Sequence, residues 1–252
     1  MTRMMVLSIQ PSISHTEGMN RKGTGKVVKT IRTAKPRVPE AERAALVHLK
    51  RVHPELYAAA KPFVGTVLVR VQPKRTNDAL FERLANSIVN QQLSTKAAAS
   101  IYARLRSVLG GSVTPVAIKK APPVKMRSAG LSEAKVKSLK DLAEAVLTNE
   151  LNLLALKRLP TEEAVTKLMK VRGIGPWTAE MFLIFGLGAP DVFSPGDLIL
   201  ARRMQKLMRL DEKISIKEMA RLAERWSPHR SFVSLLFWQL HHAEIEAKID
   251  NA

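Results

Sequence analysis

Apolar residues recur at three- and four-residue steps along most of the chain, as they do in helices with one buried face. The sharpest case is residues 77–90, where Leu80, Leu84, Ile88 and Val89 share a side. Asn90-Gln91-Gln92-Leu93 interrupts that helix, and Ser94 caps another that runs to about Leu109, before Gly110-Gly111. From Pro39 to Ala60 the pattern is again helical, with Ala45, Leu46, Leu49 and Val52 together and Pro54 dividing the segment. Further helices are predicted at 114–120, at 132–148 behind Ser132, at 162–170 behind Thr161, and from Ser231 to about Lys248. Ser215 with Glu218 fits a capping box for a helix ending near Trp226. Only residues 62–73 read as an extended strand. The expected class is all-α, with about ten helices.

Between two of these helices lies a different kind of sequence. Gly173-Ile174-Gly175 follows an amphipathic run and precedes Pro176, which suits the first position of a new helix. Glycines there allow a tight turn and a bare backbone that a large partner can approach. A helix, a Gly-Ile-Gly hairpin and a second helix can offer N–H groups to a phosphate, although the motif alone is more often a turn. The helix from Trp177 to about Leu187 ends at Gly188, and an irregular stretch then delivers Asp197 to the start of a helix at 198–210. By composition Asp197 is a cap. Gln91 and Gln92, by composition, belong to a polar interhelix turn.

Charge narrows the choice of partner. The 252 residues carry 41 Lys and Arg against 22 Asp and Glu, a formal charge of +19. That excess points to a polyanion, nucleic acid or an anionic surface. No apolar run approaches the roughly 18 residues of a membrane span, so no transmembrane role is expected. There is no cysteine, which excludes disulfides and cysteine-held metals or clusters. Residues 1–37 hold Arg3, Arg21, Lys22, Lys26, Lys29, Arg32, Lys35 and Arg37 against Glu17 alone. They read as a disordered basic tail that binds DNA, addresses the protein, or does neither. Lys135, Lys137 and Lys140 read as a solvated face, and His241-His242 as an exposed pair at a helix end without a third metal ligand.

Four separated blocks resemble the helix-hairpin-helix DNA glycosylases, most closely their alkylated-base branch (AlkA, or 3-methyladenine DNA glycosylase II). They are Asn90-Gln91-Gln92-Leu93-Ser94 with Lys96-Ala97-Ala98, Val171 to Ala179, Asp191 to Asp197, and Arg225 to Ser231 leading to Trp238. The resemblance spans roughly residues 45–245 and implies two helical subdomains with a cleft between them, occupying 38–252, with the hairpin at 169–178. A full N-terminal β domain is not expected, because too few residues precede Asn77. It implies Asp197 as the catalytic carboxylate, and Trp177, Trp238, Met181 and Gln91 around the base. Gln92, Leu93, Ser94, Arg172, Gly173, Gly175, Thr178, Arg230 and Ser231 are implied at the DNA, the 90–94 loop entering the minor groove to fill the gap left by an everted nucleotide. The carbonyls of Met169, Val171 and Ile174 would hold a monovalent cation, no cofactor being required.

The implied chemistry is release of a damaged base from double-stranded DNA. A base inside a duplex must be everted before such a cleft can take it. Breaking the N-glycosidic bond builds positive charge on the sugar, which a fixed carboxylate stabilises. An alkylated purine is already cationic and suits an indole face, a contact of roughly 0.5–2 kcal/mol. Bifunctional relatives of the endonuclease III and 8-oxoguanine types carry a Schiff-base lysine where this chain has Trp177, so the expectation is a monofunctional enzyme. The competing expectations are a glycosylase for oxidised or deaminated bases, and a hairpin protein that binds DNA without catalysis. A monomer acting inside the cell with the chromosome is expected.

Overall fold

The structure is a computed structural model that describes residues 38–68, 71, 73–209 and 214–250. The basic tail read over residues 1–37 lies outside the described residues. Among the described residues there are twelve α-helices and no strand. They are α1 (Glu40–Val52), α2 (Pro54–Ala60), α3 (Asn77–Asn90), α4 (Thr95–Val108), α5 (Pro115–Lys120), α6 (Pro123–Ser128), α7 (Glu133–Leu147), α8 (Thr161–Met169), α9 (Pro176–Met181), α10 (Leu198–Met208), α11 (Ile216–Ala223) and α12 (Arg230–Asp250).

The helices form two groups. In the first, α3 buries Leu80, Phe81, Leu84, Ala85, Ile88 and Val89, and packs against α4, α7 and the wide π-helical turn Phe182–Leu187. α5 and α6 lie on α7, and α8 lies on α9. The second group joins the two ends of the described chain: α1 packs on α2 and on the short turn Glu224–Trp226, α11 and α12 meet the same turn, and α10 lies along α12. At its centre Trp226 is fully buried, edge-on to Phe237, with its Nε1 donating to His53 Nδ1 at 3.1 Å.

Local chemistry explains most boundaries. Thr76, Ser94, Thr114, Ser132, Asp197 and Ser215 each accept a backbone N–H two or three residues on, the interaction that starts a helix. Pro54, Pro115, Pro123 and Pro176 open helices where no N–H is needed. Gly188, at φ 66°, ends the 182–187 turn, and a Cβ there would lie 2.5 Å from Pro73.

Four expectations need correction. The strand read at 62–73 is not formed among its described residues: Lys61–Phe63 is a 3₁₀ turn and 64–67 are turns. The buried Glu42 carboxylate draws in the amides of Gly65 at 2.5 Å and Leu68 at 3.4 Å, which bends a β-branched segment that would otherwise extend. Thr161 is the first residue of α8 rather than its cap, since Pro160 caps it and the Thr161 hydroxyl donates to the Asp191 carbonyl at 3.1 Å. The capping box at Ser215 is half made: Ser215 accepts from Glu218 N, but the Glu218 carboxylate turns to Arg221. His241 and His242 sit half-buried within α12 rather than at its end, and no metal-holding cluster occurs among the described residues.

Candidate active site and the loops beside it

Asp197 stands where the chain passes from the first group to the second. It caps α10, with Oδ1 accepting from Ile199 N at 2.9 Å and Leu200 N at 3.0 Å. Two indoles complete its surroundings. Trp177 Nε1, from α9, donates to Oδ2 at 2.9 Å, and Trp238 Nε1, from α12, donates to Oδ1 at 3.3 Å. The carboxylate is 8% exposed. It sits at a helix N-terminus and accepts from four N–H groups, two backbone amides and two indoles. Oδ1 takes three donors and Oδ2 one, so the acceptor capacity left for a reacting group lies mainly on Oδ2.

The tryptophans are not equivalent. Phe185 stacks on Trp238 with centroids 5.7 Å apart, which covers part of that ring. Trp177 is half-buried, and among the described residues no ring stacks on it. Met181, one turn along from Trp177, is 7% exposed and belongs to the core as much as to any pocket. Glu180 lies three residues from Trp177, on the same side of the helix. It accepts the Ser194 hydroxyl at 2.5 Å; burial pushes its carboxyl up, the Ser194 bond opposes that, and the charge of Asp197 adds to the rise. Sequence reasoning passed over Glu180, though its spacing from Trp177 was a usable signal.

The stretch that delivers Asp197 is clamped from α12. Asp191 accepts Arg230 Nε at 2.8 Å, Arg230 Nη2 at 2.9 Å, Arg230 N at 3.1 Å and Ser227 Oγ at 2.8 Å. Burial alone would raise the Asp191 carboxyl, but the Arg230 and Ser227 hydrogen bonds outweigh it and hold it below its ordinary value. Ser231, 4% exposed, donates to the Ala189 carbonyl at 2.6 Å and accepts Val192 N at 2.9 Å. Arg230 and Ser231 were expected at the DNA. In the structure Arg230 makes a bidentate ion pair with Asp191 and the Ser231 side chain is enclosed, so both hold the loop that leads to Asp197.

The hairpin and the 90–94 loop lie beside each other. Gly173 has φ 79°, Ile174 N closes on the Val171 carbonyl at 3.1 Å, and Arg172, Gly173, Gly175 and Pro176 are exposed. Gln91 Nε2 donates to the Gly173 carbonyl at 2.8 Å and reaches Thr178 Oγ1 at 3.5 Å. Thr178, expected at the DNA, is 8% exposed, and its hydroxyl accepts from Gln91. Gln92 is exposed at φ 57°, Leu93 is half-buried, and the Ser94 hydroxyl accepts from Ala97 N at 3.3 Å. The solvated face expected of the α7 lysines holds only for Lys137: Lys135 Nζ donates to the Val89 and Gln91 carbonyls, and Lys140 Nζ to those of Lys119 and Ala121.

A carboxylate fixed at a helix start between two indoles, behind a Gly-Ile-Gly hairpin in a two-part helical body, defines a DNA glycosylase architecture. The chain belongs to the HhH-GPD superfamily of base excision DNA repair proteins, which it matches over residues 85–229. It is 31% identical over 239 residues to a DNA-3-methyladenine glycosylase of Saccharomyces cerevisiae, covering 81% of each chain. Among solved structures it is similar to a DNA-3-methyladenine glycosidase from Bacillus halodurans, with a TM-score of 0.68 at 31% identity over 79% of this chain and 88% of that one. It is also similar to a 3-methyladenine DNA glycosylase of Schizosaccharomyces pombe solved in complex with abasic DNA. There the TM-score is 0.62 at 30% identity, over 78% of this chain and 95% of that one.

Proposed function

We infer that the protein is a monofunctional DNA glycosylase that everts alkylated purines such as 3-methyladenine from double-stranded DNA and excises them. The observation that carries this reading is the Asp197 carboxylate held between the Trp177 and Trp238 indole N–H groups at 2.9 and 3.3 Å. The N-glycosidic bond breaks, its electron pair leaves with the purine nitrogen, and water adds to C1′ with loss of a proton. Asp197 stabilises the positive charge that develops on the sugar, and Oδ2 is the oxygen best placed to orient the water. The purine, cationic before it leaves, needs no protonation and departs neutral. The Trp177 face supplies a cation–π surface, whereas Trp238 has part of its ring covered by Phe185.

Trp177 also supports the monofunctional assignment, because an indole cannot form a Schiff base with C1′. The amides of Gly173 and Gly175, on the exposed side of the hairpin, would take a DNA phosphate. The carbonyls of Met169, Val171 and Ile174 would hold a monovalent cation, that of Val171 while also accepting Ile174 N. The cation would neutralise charge between hairpin and phosphate and is not required for chemistry. The protein works as a monomer on chromosomal DNA, with no membrane partner; among the described residues no helix is long and apolar enough to cross a membrane.

Incubation with methylated duplex DNA, followed by chromatography of the released bases, tests the reading. Release of 3-methyladenine is expected, with strands intact until alkali is added and no complex trapped by borohydride. Release only of oxidised or deaminated bases overturns the substrate class, and a trapped complex overturns the monofunctional assignment.

A further inference from the structure

One edge of α7 touches both loops that flank the site. Lys137 and Glu133, on the outer side, pair at 2.7 Å and are exposed. Lys135 instead turns inward, and its ammonium donates to the carbonyls of Val89 at 2.7 Å and Gln91 at 2.8 Å. It thus holds the last turn of α3 and the first residue of the 91–94 loop. Further along the same helix Asp141 Oδ2 accepts the hairpin amide of Arg172 at 2.7 Å. Ser138 lies so close under the hairpin that a Cβ on Gly173 would fall 2.5 Å from its Oγ. Gln91 closes the triangle by donating from Nε2 to the Gly173 carbonyl at 2.8 Å. The 91–94 loop, the hairpin and α7 are therefore joined pairwise.

We propose that the α7 edge from Lys135 to Asp141 sets the register between the hairpin and the 91–94 loop, so that backbone capture and filling of the vacated base position occur as one rigid step. The proposal rests on the glycosylase reading, in which both loops meet the same DNA. Two of the three Lys135 donors are spent on carbonyls, and burial lowers the pKa of its amine, so the side chain is placed to brace backbone rather than to bind phosphate. Bonds from an ammonium to carbonyls are stronger than neutral ones, and they end on backbone atoms that side-chain motion cannot relax. Eversion needs that stiffness. A misplacement of about 1 Å in a positioning element can lower a rate by roughly a hundredfold. Lys135 and Asp141 are positioning residues in this scheme.

The test uses the full chain with Lys135→Met, Asp141→Ala and Lys137→Met, the last removing the same charge from the outer side of the helix. Single-turnover excision is measured from methylated duplex at saturating protein. Eversion is followed by 2-aminopurine fluorescence beside a non-cleavable abasic analogue, and the salt slope of affinity is taken on undamaged duplex. Lys135→Met and Asp141→Ala should each slow excision from bound substrate about tenfold, the scale of a lost charge-assisted bond, and lower the 2-aminopurine signal. Together they should be no worse than the stronger single change, because both break one coupling. Lys137→Met should match wild type in excision and eversion.

If Lys135→Met excises as fast as Lys137→Met, the proposal is overturned. It is equally overturned if Lys135→Met flattens the salt slope by about 0.9 more than Lys137→Met does, since Lys135 would then be a phosphate contact. Should Lys135→Met melt below the assay temperature, Asp141→Ala carries the test by the same readouts, because Asp141 is exposed. A wild-type protein that released no base from methylated DNA would sink the glycosylase reading instead, while the 2-aminopurine signal would still decide the coupling.

Discussion

Asp197 is enclosed within the fold, whereas Gly173 and Gly175 lie exposed at its surface. The carboxylate has four donors from three helices, and the loop that delivers it is clamped by Arg230 and Ser231. The hairpin is exposed on its outer side and held only from behind, by Asp141 and Gln91 on its backbone. A group that stabilises a transition state must be fixed before the substrate arrives, because reorientation during reaction would cost the stabilisation it supplies. A surface that grips phosphate must keep its N–H groups open until DNA arrives. The two limbs differ because their partners arrive at different stages.

Removing the charge at the centre of the enclosed limb should have the largest effect. Asp197→Asn keeps a carbonyl oxygen for the α10 cap but turns an amide N–H₂ toward the Trp177 donor. Single-turnover excision should fall by on the order of a hundredfold or more, the range for a lost electrostatic stabiliser. Affinity for duplex bearing an abasic analogue should change little, because the open limb makes that contact. Near-normal excision by this variant would falsify the assignment of Asp197.

Much of this contrast could be read from the chain, and the parts that could not share a cause. Ser94, Ser132 and Asp197 cap helices through bonds to residues two or three positions on, so local sequence contains both partners. The convergence of Trp177 and Trp238 on the active-site region followed from a resemblance; their N–H bonds to Asp197 did not. Arg230 looked like a DNA contact because its partner Asp191 is 39 residues away. Lys135 looked solvated because its acceptors are main-chain carbonyls, which carry no side-chain signature. Glu42 bends 61–68 by the same kind of distant bond to backbone. Each of these three is a long-range bond that overrides what the local composition favours.

The clamp on the enclosed limb is the next point to break. Arg230→Gln leaves Asp191 half-buried with Ser227 as its remaining side-chain donor. Stability in urea should fall by about 1–3 kcal/mol, the scale of a strong hydrogen-bonded charge pair losing one member. Excision should fall with it, since the 189–197 segment loosens around Asp197, while the salt slope on undamaged duplex stays close to wild type. Unchanged stability would show that the ion pair is incidental and return Arg230 to the list of DNA contacts.

The open limb yields to a milder pair of changes that separate fold from contact. Gly175 has φ −91° and no atom near a would-be Cβ, so Gly175→Val should fold as wild type. Its bulk would keep the DNA backbone off the hairpin, and affinity for lesion-bearing duplex should drop roughly tenfold, as for one or two lost hydrogen bonds. Gly173→Ala differs, because φ 79° costs an L residue about 1–2 kcal/mol and Ser138 must also move. Thermal unfolding should register Gly173→Ala and not Gly175→Val. Equal melting temperatures would mean that α7 does not support the hairpin at Gly173.

The smallest effect should come from pH, and it should loosen the enclosed limb alone. His53 stacks on Trp226 and accepts its Nε1–H at 3.1 Å, which requires a neutral imidazole. Burial, and then the charge of Arg225, lower the His53 pKa from its ordinary 6.5, with Glu55 opposing. Above pH 6.5 neither folded nor unfolded chain binds the proton, so this stability is complete there. As pH falls below 6.5 the unfolded chain takes the proton first, and stability declines until the lowered folded pKa is passed, at up to about 1.4 kcal/mol per pH unit. His229 is lowered too, by burial and then by His48, so the wild-type trend alone does not isolate His53. His53→Gln does, since its amide oxygen accepts from the indole and never titrates. Urea midpoints measured from pH 7 to 5 should fall less steeply for His53→Gln than for wild type, with affinity for undamaged duplex following the same course in both. Parallel slopes in stability would mean that the His53–Trp226 bond is not what couples this side of the molecule to acid.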